Sequence, residues 1–334
     1  MSDKMKVILD CDTGSDDAVA ILTAILSPRI ELLGVTTVAG NKEINFTTDN
    51  TLRVVDMLRS DVPVYRGCAT SMVAKLLPNR HGDYTGMTGV KQDKLDDKGE
   101  VISYHHDCLP MPAPTSKERP EHGVWWLIDT LMKSDGDITL IPTGPLTNIG
   151  MALRLEPRIA GKIKQIIFMG GGFKVFNATA ASEFNIWADP EAAQIVLTSG
   201  IKTITMVPLD ATHQANFTRD DEAELRAIGT PLAIAVADLV DERIVAYNAY
   251  QPQELADSAP IHDALCVAYL LDPEVLTDIR HMRVDVDISG GFADGQTICD
   301  TRAYPDRPEN CYVAQGADRL RFSRMVIELI RSFR

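Results

Sequence analysis

The sequence has few cysteines, and their spacing gives them no structural role. Six cysteines are scattered singly along 334 residues, with no CxxC pair and no spacing that fits a zinc site. A chain of this length can bury a sizeable core without disulfides, so scattered thiols are typical of a reducing compartment. Long apolar runs are also missing: no stretch approaches the about 20 residues that cross a bilayer, and the N-terminal run is too short for a signal peptide. We therefore expect a cytoplasmic protein without a membrane span.

Positive charge is the second scarce feature. The chain has 33 lysines and arginines against 47 acidic residues, which gives a formal net charge of -14 and a pI near 4.9. An acidic surface repels phosphate backbones and anionic lipid headgroups, so we expect neither nucleic acid nor membrane as a partner. The 45% hydrophobic and 24% charged content is ordinary for a globular protein. This balance is compatible with a small neutral ligand and does not identify one.

Strand and helix patterns alternate along most of the chain. Apolar runs predict strands at 5–9, 30–39, 62–65, 137–142, 162–169 and 201–208. Helical periodicity predicts helices at 16–27, 45–59, 121–134, 145–155 and 189–199, a largely helical stretch at 219–271 and a last helix at 317–332. Possible strands lie near 283–288, 296–301 and 310–314. Residues 66–120 are rich in Gly, Pro, Asp and His and show little periodicity, which is typical of a functional loop region.

This alternation predicts an α/β fold. We expect one domain over residues 1–334, built on a single open, mostly parallel (mixed) sheet with helices on both faces. In such folds ligands bind beyond the carboxyl ends of the strands. Polar clusters that directly follow predicted strands are therefore the candidates for a functional site.

The first such cluster is an acidic loop after the first strand. Four carboxylates fall within eight residues: Asp10, Asp12, Asp16 and Asp17. Carboxylates this close repel one another, and a hard cation with oxygen ligands relieves the repulsion. Helix capping, with Ser15 as N-cap, explains the last two acids equally well but not the first two. An EF-hand is excluded because its last ligand, a glutamate, would fall at Ile21.

The loop has a specific resemblance. The segment VILDCDTGSDDAVAIL resembles the N-terminal signature of the inosine-uridine-preferring nucleoside hydrolases, D-x-D-x-G-x-D-D, with Thr13 where proline is common. The resemblance implies a Rossmann-like fold and a calcium ion bound by Asp12 and Asp17. It further implies that Asp12 is the general base, that Asp16 holds a ribose hydroxyl and that Asp10 supports the site.

Two further segments follow strands and match the same family. The sequence VAGN at 38–41 is by itself a turn signal, but it resembles a family segment whose asparagine reaches the active site, here Asn41. The sequence PTGPLTN at 142–148 reads as a helix start with proline in its first turn. The resemblance implies that the backbone carbonyl of Thr143 is a calcium ligand.

A third segment carries polar side chains that suit a sugar. Glu183 and Asn185 are two residues apart, so an extended backbone would aim them in the same direction. The segment from 183 reads EFNIWADPEAA and closely resembles the ribose-binding segment of the family. It implies that Asn177, Glu183 and Asn185 bind ribose and that Met169 lines the sugar pocket. Asp189 fits the N-cap of the next helix.

The remaining candidates concern the metal and the base. The sequence IHDA at 261–264 is most simply a helix cap, but it resembles a family segment that implies Asp263 as a calcium ligand. His262 then becomes the candidate acid beside the leaving base, because histidine exchanges protons near neutral pH. His81, in a segment that loosely resembles a family loop, is a candidate for the base pocket. Tyr247 and Tyr250 are candidates to face the base.

The resemblance implies a reaction. The family cleaves the N-glycosidic bond of purine or pyrimidine ribonucleosides to ribose and free base, with a calcium-held water that Asp12 activates and an oxocarbenium-like transition state. It implies a role in nucleoside salvage and a homodimer or homotetramer. Three alternatives stay open. They are an aspartyl-phosphate phosphatase with Asp10 as nucleophile, a nucleoside-binding protein without turnover, and a purely structural α/β protein. The phosphatase pattern usually has Thr or Val where this chain has Gly14.

Overall fold

The computed structural model describes residues 4–73, 76–77, 94–95, 99 and 101–333. The strands in chain order are β1 Met5–Cys11, β2 Ile30–Thr37, β3 Val64–Arg66, β4 Ile138–Pro142, β5 Ile163–Met169, β6 Ile204–Val207, β7 Asn216–Thr218, β8 Ser258–Pro260, β9 Leu276–Val286, β10 Thr297–Asp300 and β11 Cys311–Ala317. The helices are α1 Ser15–Leu26, α2 Ile44–Met57, α3 Gly123–Lys133, α4 Thr147–Leu155, α5 Phe184–Ala188, α6 Pro190–Leu197, α7 Leu209–Thr212, α8 Arg219–Ile228, α9 Pro231–Tyr250, α10 Ala264–Leu271 and α11 Arg319–Ser332.

Nine of these strands form one sheet in the order β10-β9-β11-β6-β5-β4-β1-β2-β3. The neighbours from β3 across to β11 run parallel, and β9 is antiparallel to both β11 and β10. The predicted mostly parallel, mixed sheet is confirmed. A separate two-stranded antiparallel sheet joins β7 to β8.

The sheet separates two hydrophobic cores. In β1, Val7 and Leu9 point into one core, and Ile8 between them points into the other. Side chains from α1, α9, α10 and α11 fill the first core, and side chains from α3, α4 and α6 fill the second. A strand buried on both faces reads as a continuous apolar run, which is the pattern that predicted it. Helices therefore cover both faces, as the sequence predicts.

The start of α1 differs from the prediction. Gly14, not Ser15, is the N-cap residue, and Ser15 is the first residue of the helix. The Asp17 carboxylate accepts a hydrogen bond from the backbone N–H of Gly14 at 2.9 Å, so an acid inside the first turn satisfies this donor. The Ser15 hydroxyl is consequently available for a contact with another helix.

One further prediction of backbone conformation was confirmed, and one was wrong in part. The stretch 219–271 is largely helical, as predicted: it contains α8, α9 and α10, with β8 and its flanking turns between α9 and α10. The backbone is extended at Glu183, the N-cap of α5, but Asn185 lies in the first turn of that helix, so the expected extended backbone was wrong for Asn185. Asp189 is the N-cap of α6, as predicted, and accepts from the N–H of Ala192 at 3.2 Å.

The irregular character of 66–120 is confirmed for the part that the structure describes. Apart from the end of β3, those residues form turns, bends and isolated bridges. None of the described helices combines the length and the apolar composition that a membrane crossing requires. The single domain and the homodimer or homotetramer stay predictions.

Candidate active site

The carboxyl ends of neighbouring parallel strands bring the polar clusters together. The strands β1, β4 and β5 lie side by side, and each ends directly before or at a predicted site residue: Asp12, Thr143 and Met169. Asn41 follows β2 on the other side of β1. Segments that are far apart in the chain thus meet at one sheet edge, where the α/β topology predicts a ligand site.

Asp12 is buried with one carboxylate oxygen fixed and the other free. Its Oδ2 accepts a hydrogen bond from the backbone N–H of Asn41 at 2.6 Å. Its Oδ1 is buried and has no hydrogen-bond partner among the described residues. Burial, followed by the charge of Asp17, raises the pKa of Asp12 well above its usual range. A buried acceptor without a donor points to a cation or a substrate proton at this position.

Three further acids form the tightest cluster of the site. Carboxylate oxygens of Asp16, Asp17 and Asp263 lie within 4.8 Å of one another, and all three residues are buried. Burial and the charge of Asp16 raise the pKa of Asp17 to about 7, even though the Thr143 hydroxyl donates to Asp17 Oδ1 at 2.7 Å. Burial and the charges of Asp16 and Asp17 raise the pKa of Asp263 as well. A divalent cation would offset this repulsion.

The cluster differs in one member from the ligand set that the resemblance implies. It holds Asp16 beside Asp17 and Asp263, whereas the implied set has Asp12 in that place. Asp263 is the N-cap of α10 but makes no side-chain capping hydrogen bond. The simple explanation of Asp263 as a helix cap is therefore wrong for its carboxylate.

Asp10 has a supporting position. It is not among the residues that line the cleft, and its Oδ1 accepts from the Thr36 hydroxyl at 2.5 Å and from Asn148 Nδ2 at 2.7 Å. Burial raises its pKa to about 6 despite these two donors. Asp10 thus ties β1 to β2 and α4. The phosphatase alternative, which needs this carboxylate as an exposed nucleophile, does not fit.

The polar side chains of the third segment form a connected network. Asn185 Nδ2 donates to the Thr143 carbonyl at 2.7 Å and to the Met169 carbonyl at 3.2 Å. The Glu183 carboxylate accepts from the N–H groups of Gly171 at 2.7 Å and Asn185 at 2.9 Å. Burial raises the pKa of Glu183 to about 7. Hydrogen bonds to the segment between β5 and α5 thus hold the side chains of Glu183 and Asn185 in place.

Asn177 joins this network through the backbone. Its Oδ1 accepts from the N–H of Phe184 at 3.0 Å, which fixes the amide beside the first turn of α5. A side-chain amide has both acceptor and donor groups. Asn177 therefore keeps its Nδ2 donors for a ligand or for water.

Aromatic and histidine side chains form the other part of the cleft wall. His262 is buried between two hydroxyl groups: Tyr247 Oη lies 2.6 Å from Nε2, and Thr212 Oγ1 lies 2.7 Å from Nδ1. Burial lowers the pKa of His262 well below its usual range. The Tyr104 ring meets the Tyr247 ring edge-on at 5.2 Å between centroids. Tyr250 lies outside this wall and donates from its hydroxyl to the Ile102 carbonyl.

Four residues that line the cleft were not predicted from the sequence: Tyr104, His105, Phe184 and Arg243. Tyr104 and His105 come from the irregular stretch, and burial lowers the pKa of His105 to about 4. Arg243 comes from the middle of α9, where nothing in the periodicity distinguishes it. Its Nη1 lies 3.0 Å from Asp16 Oδ1. Phe184 lies between the predicted Glu183 and Asn185. No local sequence signal could have found the other three, because long-range packing brings them to the cleft.

Most of the predicted residues share one cleft with these additions. The lining residues are Asp16, Asn41, Tyr104, His105, Thr143, Met169, Asn177, Glu183, Phe184, Asn185, Arg243, Tyr247, His262 and Asp263. Asp12 and Asp17 lie buried beside them, in contact with Asn41 and Thr143 respectively. The remaining candidate, His81, lies outside the described residues.

Comparison with known proteins identifies the family. The family model described as inosine-uridine preferring nucleoside hydrolase matches residues 7–324. The pyrimidine-specific ribonucleoside hydrolase RihB of Escherichia coli O157:H7 is 38% identical over 333 residues, which cover 99% of this chain and 98% of that protein.

Solved structures show the same fold. A purine-preferring ribonucleoside hydrolase from Gardnerella vaginalis superposes with a TM-score of 0.82 at 31% identity, over 98% of each chain. The plant nucleoside hydrolase PpNRh1 gives a TM-score of 0.81 at 28% identity, over 98% of this chain and 99% of that one. The resemblance drawn from the sequence is thereby confirmed. With the family model spanning nearly the whole chain, this protein belongs to the inosine-uridine preferring nucleoside hydrolase family and is an enzyme that hydrolyses the N-glycosidic bond of ribonucleosides.

Proposed function

We propose that this enzyme cleaves pyrimidine ribonucleosides by direct attack of a water molecule whose proton Asp12 accepts. The observation that carries this proposal is the buried Asp12 carboxylate, with Oδ2 held by Asn41 and Oδ1 free of any hydrogen bond from the described residues. A general base needs one oriented, unoccupied oxygen within reach of the proton it takes. Asp12 has this geometry.

The acidic cluster fits a calcium ion. We propose Asp12, Asp17, Asp263 and the Thr143 carbonyl as its ligands. The Thr143 carbonyl accepts one hydrogen bond from Asn185, and a carbonyl oxygen has a second lone pair. Crowded buried carboxylates whose pKa values are raised are the donor set that a hard cation stabilises. A calcium ion bound there would hold the attacking water and make it more acidic.

The sugar would be held by the network between β5 and α5. Asp16, Asn177, Glu183 and Asn185 line the cleft together with Met169 and Asn41, and they supply acceptors and donors that suit ribose hydroxyls. As the glycosidic bond breaks, positive charge develops on the sugar. Buried carboxylates near the ring stabilise that charge more in the transition state than in the ground state. We assign Asp16 to a ribose hydroxyl, as the resemblance implies.

The base would leave toward the aromatic wall. Tyr104 and Tyr247 provide ring faces and edges there. Both ring nitrogens of His262 are hydrogen-bonded, so a proton from His262 would reach the base through the Tyr247 hydroxyl. The preference for pyrimidines rests on similarity alone: the E. coli relative is named pyrimidine-specific, and the less similar bacterial structure is named purine-preferring.

The test is release of reducing sugar from uridine, cytidine, inosine and adenosine. We expect ribose from uridine and cytidine at higher kcat/KM than from the purines, and slower release after thorough chelation of calcium. The Asp12→Asn variant keeps the size of the side chain and removes the base, so it should lose about 10²–10⁴-fold in kcat. The matched control is Asp129→Asn, at an exposed acid on α3.

Two outcomes would contradict the proposal. No ribose from any of the four nucleosides, with the protein folded and calcium present, would leave the alternative of a nucleoside-binding protein without turnover. A fully active Asp12→Asn enzyme would show that another group takes the proton.

A further inference from the structure

The cleft contains a buried arginine to which neither the resemblance nor the comparisons assign a role. Arg243 lies on α9 and is 1% exposed. Among the described residues that line the cleft, it is the one lysine or arginine. Burying a guanidinium is costly unless its charge and its donors are satisfied. A buried guanidinium therefore needs hydrogen-bond acceptors and a negative charge nearby, and the positions of these groups fix where its charge lies.

The side chain is held at three points. Nε donates to the Pro260 carbonyl at 2.9 Å, and Nη1 donates to the Ser15 hydroxyl at 3.0 Å. Nη1 also lies 3.0 Å from Asp16 Oδ1. The guanidinium carbon lies 5.4 Å from the centroid of the Tyr247 ring. An arginine fixed in this way is a positive charge with one orientation.

These contacts place the charge between the two parts of the cleft. Asp16 belongs to the acidic cluster that we assign to the metal and the sugar. Tyr247 belongs to the aromatic wall that we assign to the base. Arg243 touches both, so it lies where the bond between sugar and base would be. The Asp16 carboxylate offsets the arginine charge on the sugar side.

The leaving base develops negative charge that a nearby positive charge would stabilise. When the C1′–N1 bond of a pyrimidine nucleoside breaks, its electron pair goes to the base, and the negative charge spreads over N1 and the carbonyl oxygens. The water oxygen forms the new bond to C1′, and its proton goes to Asp12. The released base then takes a proton through the Tyr247 hydroxyl, which solvent replaces by way of His262, and Asp12 returns its own proton to solvent.

We propose that Arg243 is a catalytic residue that stabilises the negative charge on the departing pyrimidine base. This inference rests on the proposed function of the cleft. A fixed positive charge beside the developing negative charge, in a cleft that buries it, stabilises that charge as the donors of an oxyanion hole do. His262 has both nitrogens engaged by Tyr247 and Thr212 and presents no free N–H to the base. The arrangement favours bases that leave as anions, such as uracil, over purines that leave after protonation.

The experiment compares substrates whose leaving groups differ in acidity. We would measure kcat/KM for uridine, 5-fluorouridine and 4-nitrophenyl β-D-riboside with the wild type and with Arg243→Gln. The control is Arg226→Gln, at a partly exposed arginine of α8. We expect Arg243→Gln to lose about 10²–10³-fold on uridine, less on 5-fluorouridine and least on the nitrophenyl riboside. A better leaving group needs less stabilisation, so the loss shrinks in that order.

The outcomes separate the two proposals. An equal loss on all three substrates, or no loss, would overturn the role of Arg243, because a merely structural role does not depend on the leaving group. No ribose from any substrate with the wild type would instead overturn the proposed function. If Arg243→Gln does not fold, Arg243→Lys keeps the positive charge but lacks the planar guanidinium group. Its loss of kcat/KM should follow the same order of substrates.

A measurement on the wild type alone keeps the inference testable if both variants fail to fold. With Arg243 in place, kcat/KM should depend only weakly on the acidity of the leaving group across the three substrates. A steep dependence in the wild type would overturn the inference.

Discussion

The Tyr247 hydroxyl lies 2.6 Å from His262 Nε2, and the same imidazole meets the Thr212 hydroxyl at its other nitrogen. Tyr247 lines the cleft, whereas Thr212 does not. The two hydroxyls therefore have similar bonds to one histidine but different access to the substrate. This difference separates a structural from a functional contribution of the histidine.

Removing either hydroxyl should destabilise the enzyme by a similar amount. Tyr247→Phe and Thr212→Val each leave a buried imidazole nitrogen without its partner, which costs about 1–3 kcal/mol in the free energy of unfolding. Only Tyr247→Phe should also slow uridine cleavage, by about 10²-fold, because it interrupts the path from His262 to the base. Denaturant unfolding and kcat/KM per folded enzyme check both values. Equal activity of the two variants would contradict the relay.

Gly144 should be indispensable for the position of the general base. A Cβ at this residue would lie 2.7 Å from Asp12 Oδ1 and 2.9 Å from its carboxylate carbon, so Gly144→Ala must displace the carboxylate. A misplacement of about 1 Å costs about 10²-fold in rate. Gly161→Ala is the matched control, because a Cβ there meets nothing within 4 Å. If both alanine variants cleave uridine at the wild-type rate, Asp12 does not act from the position seen here.

Calcium should stabilise the folded enzyme through the acidic cluster. A cation that binds only the folded state adds about 2.7 kcal/mol at 100 times its Kd. We expect calcium to raise the Tm of the wild type and chelation to lower it. Asp17→Asn and Asp263→Asn should melt cooperatively but lose this shift, and Asp129→Asn, at an exposed acid, should retain it. Calorimetry at fixed protein concentration measures the effect, and an unchanged wild-type Tm would count against a metal at this site.

The stability of the enzyme should fall in mild acid because of His213. Burial lowers the pKa of His213 to about 4, below the value near 6.5 of an unfolded chain. Between these values the unfolded state binds the extra proton, so the contribution of His213 is complete above pH 6.5 and is lost as the pH falls toward 4.

The variant His213→Gln isolates this contribution. As the pH falls from 7 to 4, the free energy of unfolding of the wild type should decrease by about 1–3 kcal/mol more than that of His213→Gln. Denaturant unfolding at several pH values measures it. A difference that does not change with pH would show that His213 binds its proton equally well in both states.

The sequence by itself determined the order of the elements and the acidic loop. Both are local properties: an apolar run buried on both faces gives a parallel strand, and Asp12, Asp16 and Asp17 follow the first strand within a few residues. The family resemblance added Asn41, Thr143 and the segment around Glu183, because each of these groups follows a strand in a short recognisable segment. Their arrival at one sheet edge then follows from the parallel topology.

Only the tertiary structure decided which of these groups touch. The packing of α1 against α9 and α10 sets Arg243 beside Asp16 and places Asp263 beside Asp17. Helical periodicity shows that a face is buried but not which helix it meets, so a buried arginine in the middle of α9 gives no local signal. For the same reason the sequence did not predict Tyr104 and His105, which come from a stretch without periodicity. Contacts between distant segments depend on the packing of whole layers, and in this enzyme that packing places a positive charge beside the acidic cluster.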